Sequence, residues 1–333
     1  MPGPGPTIAD IARAAEVSTA TVSHALTGTG RLGDSTRRRV REVAAALGYS
    51  AARRGPRTRN LGLAVTTYAG SAWNFVEIAY FSRLLTAATA AAHARGYALT
   101  VLPAERGAEP LWHTLAVDGM LLLDSPAGDP VLAALRARGL PVVFDGRPPD
   151  PRPGDVWVDN DHEAATREVL DHLAGAGARR IALHAAYGRE HYTEAVGAAY
   201  RRWCAERGMP AVVVPFDPED AAGHAFDSVF AAPPGRRPDA VHCVYDPGGR
   251  QVLAAAARHG LRVPGELLLV CASEDPGYGV GEPAVTTLSL EPELLAERAV
   301  AALVALVEPP HAAPTPPAPV PTTLTPRTSS QRP

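Results

Sequence analysis

The chain has 333 residues, 32 basic and 35 acidic, for a formal net charge of −3, and 46% of its residues are apolar. That apolar share excludes a wholly disordered chain, and the lack of an 18-residue uncharged apolar run excludes a membrane-spanning helix. The charge is split: residues 1–60 carry ten Arg against four acids, leaving this stretch at +6 and the rest at −9. A small basic module that meets a polyanion, joined to a larger acidic body, is the expected arrangement.

The opening Met-Pro-Gly-Pro-Gly-Pro has neither a basic start nor an apolar run. No secretory leader is therefore expected, and the cytoplasm is the expected compartment. Cys204, Cys243 and Cys271 are scattered and have no CxxC spacing, so they read as small buried apolar residues. Every basic residue is Arg, a compositional bias before it is a signal.

Residues 7–48 predict three short helices. Thr7 caps Ile8–Ala15, and Glu16-Val17 makes a turn. Ser18 caps Thr19–Leu26, and Ser35 caps Thr36–Leu47, with Gly48 ending that helix. Two helices joined by about four residues, the second rich in small polar side chains, is helix-turn-helix spacing. In that arrangement Thr19, Ala20 and His24 face base edges. Thr7, Ser18, Thr21 and Ser23, with Arg53 and Arg54 beyond the head, suit phosphates. On pattern alone, a plain three-helix bundle with a basic surface is the competing description. Gly28-Thr29-Gly30-Arg31-Leu32-Gly33 matches GxGxxG, but it follows a helix rather than a strand, so no dinucleotide site is expected.

The run "TIADIARAAEVSTATVSHALTGTGRLGDSTRRRVREVAAALGYS" resembles the DNA-binding head of the lac-repressor/galactose-repressor family. The resemblance implies a homodimeric repressor that binds a pseudo-palindromic double-stranded DNA operator under control of a small-molecule effector. Three positions depart from the pattern. Glu16 stands where the family usually has Gly, and His24 where it often has Arg. The linker "SAARRGPRTRN" is shorter than the family's hinge segment and lacks the hinge Leu.

From Leu61 the rhythm changes to apolar runs alternating with helix-length segments. Strands are expected at 61–67, 97–102, 119–124, 141–145, 180–185, 211–216, 240–245 and 267–272. Helices are expected at 76–95, 163–174, 193–207 and 247–259. This alternation predicts parallel sheets covered on both faces, with ligands beyond the carboxyl ends of the strands. The body resembles the family's effector domain, which has the fold of periplasmic sugar-binding proteins. The fold class is thus an all-α helix-turn-helix head plus an α/β periplasmic-binding-protein-like domain of two doubly wound parallel-sheet subdomains. The expected boundaries are a head at 1–50, an Arg-rich linker at 51–60 and a ligand-binding and dimerisation body at 61–330. Within the body, one subdomain takes about 61–158 and 288–308. The other takes about 162–284, with a last strand at about 321–330.

The resemblance places Trp73, Phe75, Asp145, Tyr192, Phe216, Tyr245, Ser273 and Glu274 around the effector, which is sugar-like or nucleoside-like. Here too the pattern departs. The family's ligand-gripping Arg falls on Val196, and Ser273 stands for its first Asp, so the effector is less polar than a sugar, held differently, or absent. A small-molecule receptor with a vestigial head is the alternative. No enzyme is expected. Asp161-His162-Glu163 reads as a solvated helix start, since adjacent helical residues point apart, and Ser23-His24 cannot pair for the same reason. No cofactor and no metal site are expected.

Overall fold

The computed structural model describes residues 7–27, 32–47, 58–66, 77–103, 109–186, 190–308 and 317–332. Three helices form the head: α1 (Ile8–Ala14), α2 (Thr19–Thr27) and α3 (Asp34–Ala46). Thr7 opens α1 with a reciprocal cap. Its hydroxyl oxygen accepts the Asp10 N–H (3.1 Å), and the Asp10 carboxylate accepts the Thr7 N–H (2.7 Å). At the far end the Val17 N–H donates to Ala12 O and the Glu16 N–H to Arg13 O, with Glu16 left-handed at φ 51°. The Arg39 guanidinium, from α3, donates to the Ala15 carbonyl at the same corner. Ser18 caps α2 by accepting the Thr21 N–H (3.0 Å). Because α3 starts at Asp34, Ser35 lies inside its first turn and is not the expected cap. Ile11, Ala15, Val22, Ala25 and Val40 close the small core.

The body holds two sheets. In chain order the first half brings β1 (Asn60–Val65), α4 (Ala79–Ala94), β2 (Ala98–Pro103), α5 (Glu109–Thr114), β3 (Gly119–Leu123), α6 (Pro130–Ala137), β4 (Val142–Asp145) and β5 (Val156–Val158). These strands form an all-parallel sheet in the order β2-β1-β3-β4-β5. Then follow α7 (His162–Gly175), β6 (Ile181–Ala185), α8 (His191–Glu206), β7 (Val212–Pro215), α9 (Asp227–Phe230), β8 (Ala240–Cys243), α10 (Gly248–Arg258), β9 (Leu268–Ala272), α11 (Gly277–Val280) and β10 (Thr286–Ser289). Next come α12 (Pro292–Val307), which returns to the first sheet, and β11 (Thr323–Thr325). The second sheet runs β11-β10-β9-β8-β6-β7.

Alternation along the strands gives each sheet two buried faces. Leu268, Val270 and Ala272 of β9 point into the core shared with α7 and α8, while Leu267, Leu269 and Cys271 point into the core under α10. In the first sheet Leu61, Leu63 and Val65 face α4 and α12, and Ala64 faces the α5–α6 side. All three cysteines are buried.

All eight expected strands and all four expected helices form in the body, most with ends trimmed by one to three residues. Three things differ from the expectation. β5 and β10 join the sheets as extra short strands. β11 pairs antiparallel with β10. The stretch expected as a last strand also turns after Thr325 into a short 3-10 helix, Thr328–Ser330, whose Ser329 hydroxyl donates to Leu269 O (2.6 Å).

The chain passes between the sheets after β5, after β10 and before β11. Asn160 binds these passages together: its side-chain amide donates to Leu290 O and Val320 O, both at 3.0 Å, and Val320 N–H donates to Asp159 O (2.8 Å). At the entry to the body the Asp118 carboxylate accepts the N–H groups of Thr58 and Arg59 and the Thr58 hydroxyl, at 2.9 to 3.0 Å. Among the described residues no helix is long and apolar enough to cross a membrane.

Candidate functional site

A cavity of about 700 Å³, counted out to its open mouth, lies between the two sheets at the carboxyl ends of their strands. Its floor on the first sheet is a row. β3, β4 and β5 are adjacent parallel strands, and each delivers an aspartate at or just past its end: Asp124, Asp145 and Asp159. Asp124 sits there in a left-handed backbone at φ 52°. The Tyr80 hydroxyl, from α4, donates to Asp145 Oδ2 (2.9 Å). His162 Nε2, at the start of α7, donates to Asp159 Oδ1 (2.7 Å), and the Arg147 N–H donates to Asp159 Oδ2 (2.9 Å).

Burial, then the charges of Glu190 and Asp159, push the Asp124 carboxyl up to about 7 against the pull of His162. Burial and the neighbouring Asp124 hold Asp145 well above the usual carboxylate range. Asp159 is the exception: against the upward push of burial, its bond to His162 and that ring's charge hold it low.

The second sheet supplies an aromatic wall and a set of polar groups already engaged within the protein. Tyr192 donates to Val244 O (2.8 Å) and its ring meets His162 edge-on at 4.9 Å. The Tyr245 hydroxyl is bonded to Thr193 Oγ1. Ser273 donates to Asp246, which also accepts the Glu274 N–H (3.1 Å). Glu274 pairs with Arg83 of α4 (2.9 Å) and accepts the Leu290 N–H (2.8 Å), tying the two subdomains along one edge of the cavity.

Of the residues expected around an effector, Asp145, Tyr192, Tyr245, Ser273 and Glu274 line the cavity. Phe216 does not; it stacks behind Tyr245 with ring centroids 4.8 Å apart and lies buried against His184. Trp73 and Phe75 lie outside the described residues, as do Arg53 and Arg54. Val196 is buried in the core under α8, away from the cavity. His162 corrects an expectation: it is not a solvated helix start but only 6% exposed, while Asp161 caps α7 by accepting the Ala164 N–H (2.9 Å). Sequence reading missed Tyr80, Asp124, Asp159 and Asn160. The resemblance placed Asp145; the rule that ligands lie beyond the carboxyl ends of strands also reaches Asp124 and Asp159.

In the head, α2 turns Val22 and Ala25 inward and leaves Thr19, Ala20, Ser23 and His24 exposed along one face. Thr7 and Thr21 are engaged locally, Thr7 with Asp10 (2.6 Å) and Thr21 with Ser18 (2.8 Å).

Residues 7–51 match the family model of bacterial regulatory proteins of the lacI family, and residues 170–330 match that of a periplasmic binding protein-like domain. The HTH-type transcriptional repressor PurR of Escherichia coli O139:H28 is 30% identical over 311 residues, covering 88% of each chain. The PurR of Aliivibrio fischeri is 27% identical over 313 residues, covering 85% of this chain and 86% of its own. The chain belongs to the lacI family of bacterial regulatory proteins. It is a DNA-binding transcriptional regulator rather than an enzyme. Among solved structures, a transcriptional regulator CelR–cellobiose complex superposes with a TM-score of 0.72 at 23% identity, covering 97% of this chain and 99% of that one. The lac repressor dimer bound to operator and an anti-inducer gives 0.66 at 20%, covering 98% and 100%. At these identities the structures speak to the fold.

Proposed function

We propose that this protein is a cytoplasmic, homodimeric transcriptional repressor that reads a pseudo-palindromic operator and is switched by a small molecule held between the two sheets. The observation that carries the reading is one chain holding both parts: a capped helix with a small polar face, and a cavity at the strand ends of two linked subdomains. In this reading residues 1–50 form the DNA-binding head, 51–60 the linker and 61–330 the ligand-binding and dimerisation body. Thr19, Ala20 and His24 read bases, while Thr7, Ser18, Thr21, Ser23, Arg53 and Arg54 hold phosphates. Asp145, Tyr192 and Tyr245 contact the effector, together with Trp73 and Phe75. Ser273 and Glu274 act by fixing the wall, and Phe216 by backing Tyr245. A ligand that favours one arrangement of the subdomains moves the heads, and coupling of this kind is typically about 1–3 kcal/mol.

Selection from a randomised duplex library, followed by binding across a salt series, tests the proposal. A palindromic consensus is expected, with affinity falling steeply as salt rises because phosphate contacts release counterions. His24→Ala is expected to relax preference at one or two base positions, by about 1–3 kcal/mol each, with little change on unrelated DNA. Binding that ignores both sequence and salt would instead mark a receptor with a vestigial head.

A further inference from the structure

Resting on the reading of the cavity as the effector site, we infer that the start of α4 is a latch by which the chain shuts this cleft with its own contacts. Arg83 is its positioning residue, the one that sets the balance between the closed and open arrangements.

Two bonds leave the first five residues of α4 for the opposite subdomain. The helix itself belongs to the first sheet, with Phe81 and Leu84 buried in that core. Ile78, the residue ahead of it, makes no side-chain cap. The cap comes from across the cleft: the Asp246 carboxylate accepts the Tyr80 N–H at 3.4 Å, at the second position of the helix. A carboxylate placed there also meets the positive end of the helix dipole. One turn on, Arg83 Nη1 donates to Glu274 Oε2 (2.9 Å). Asp246 and Glu274 stand just past the ends of β8 and β9, which are neighbours in the second sheet. They are joined there, since the Glu274 N–H donates to Asp246 (3.1 Å). The helix start therefore docks on one prepared patch of the other subdomain.

The latch can part without stranding a charge. Arg83 Nε donates to Glu293 of α12 (2.6 Å), and α12 packs in the same core as α4, so the guanidinium keeps a carboxylate when the subdomains separate. Glu274 keeps partners of its own, the Ser289 hydroxyl (3.0 Å) and the Leu290 N–H (2.8 Å). The Tyr80 N–H and Asp246 pass to water. Closed, the Glu274 side chain is only 3% exposed and Arg83 supplies its counter-charge; open, water takes that place. Loss of Arg83 thus penalises the closed arrangement and leaves the open one as it was, which is how a residue moves a two-state balance. Glu274 stands where the family resemblance expects an effector contact; here that carboxylate serves closure.

The experiment measures the separation of the subdomains in the full chain with no small molecule added. Spin labels go on Ala90→Cys of α4 and Glu219→Cys of the second subdomain, both exposed positions, while the three native cysteines are buried. Mixing with an excess of unlabelled chain confines the measured pair to one protomer. The parent is expected to show chiefly a short distance. Arg83→Met should shift the closed-to-open ratio about tenfold toward a longer one, a half-exposed partner of a buried carboxylate being lost. Glu274→Gln should do the same, and the two together no more than either alone. Arg83→Lys, a point charge in place of a fork, should fall between parent and Arg83→Met, and Glu293→Gln should keep the short distance. A parent that is mostly open, or an Arg83→Met variant with unchanged distances, overturns the inference. So does a variant that melts well below the parent while its distances stay the same, which marks a plain structural pair. Affinity for the selected operator, measured on the same variants, separates the two readings. Distances that shift while that affinity holds keep the latch and overturn the coupling of cleft to heads.

Discussion

Glu16 adopts a backbone suited to glycine at the residue that closes α1, where the Val17-to-Ala12 and Glu16-to-Arg13 bonds wrap the helix end. A left-handed non-glycine residue costs about 1 kcal/mol or more, part of which the Arg39 bond to Ala15 offsets. Glu16→Gly is expected to stabilise the corner by about 1 kcal/mol, read as a roughly fivefold gain in hydrogen-exchange protection of α1 and α2 amides. Unchanged protection would mean that the corner is held by its tertiary contacts alone. This strain was legible in the sequence, because a turn with no glycine has to place some other residue there. His162 was not. Its acidic neighbours Asp161 and Glu163 do serve an exposed helix start, Asp161 as the cap and Glu163 in a surface pair with Arg202. The ring between them is buried only because Tyr192 of α8 and Asp159 close over it, a long-range fact that no local pattern carries.

At the scale of elements, Asn160 is the point where three passages of chain meet. The amide satisfies two carbonyls from segments 130 and 160 residues away, and Asn160 itself is 7% exposed. Asn160→Ala strands both carbonyls, and a buried unsatisfied acceptor costs about 1–3 kcal/mol. The variant should lose roughly 3 kcal/mol in reversible denaturant unfolding; a loss below about 1 kcal/mol would show that water replaces the amide. Strands and helices with long apolar periodicity were readable because burial on both faces of a parallel sheet leaves an unbroken apolar run, as in Gly119–Leu123. β5 and β10, three and four residues long, were not read as strands, since their pairing depends on neighbours already being in place. The antiparallel β11 likewise follows from the chain returning past Asn160, not from its own Thr-Leu-Thr.

For the whole molecule, buried groups push the response to acid in opposing directions, His242 and Asp124 among them. Burial lowers His242 of β8 to about 4, so between its ordinary value near 6.5 and pH 4 the unfolded chain binds the extra proton and stability falls as pH falls. Asp124 does the reverse. Its carboxyl, raised to about 7, takes up a proton in the folded state first, so stability falls as pH rises from about 4 to 7. At 1.36 kcal/mol per pKa unit, the upper bounds are roughly 3 kcal/mol for His242 and roughly 4 kcal/mol for Asp124. Asp124→Asn removes one of the slopes that oppose His242, so the variant should lose more stability than the parent between pH 7 and pH 5, a difference that denaturant unfolding at pH 5, 6 and 7 resolves.

The Asp118 clasp on Thr58 and Arg59 fixes where the chain leaves the body. From Leu47, the last described residue of the head, to Thr58 there are eleven Cα steps. Chain geometry bounds that span at roughly 38 Å fully extended, or about 16 Å if helical. Half-sites one helical turn apart lie about 34 Å from centre to centre, within the longer bound. One extended residue covers about 3.4 Å, the rise of one base pair along a DNA strand. The clasp thus sets a ruler's limit: adding or removing a single residue between Leu47 and Thr58 changes the greatest reach open to the head by about 3.4 Å, one base-pair step.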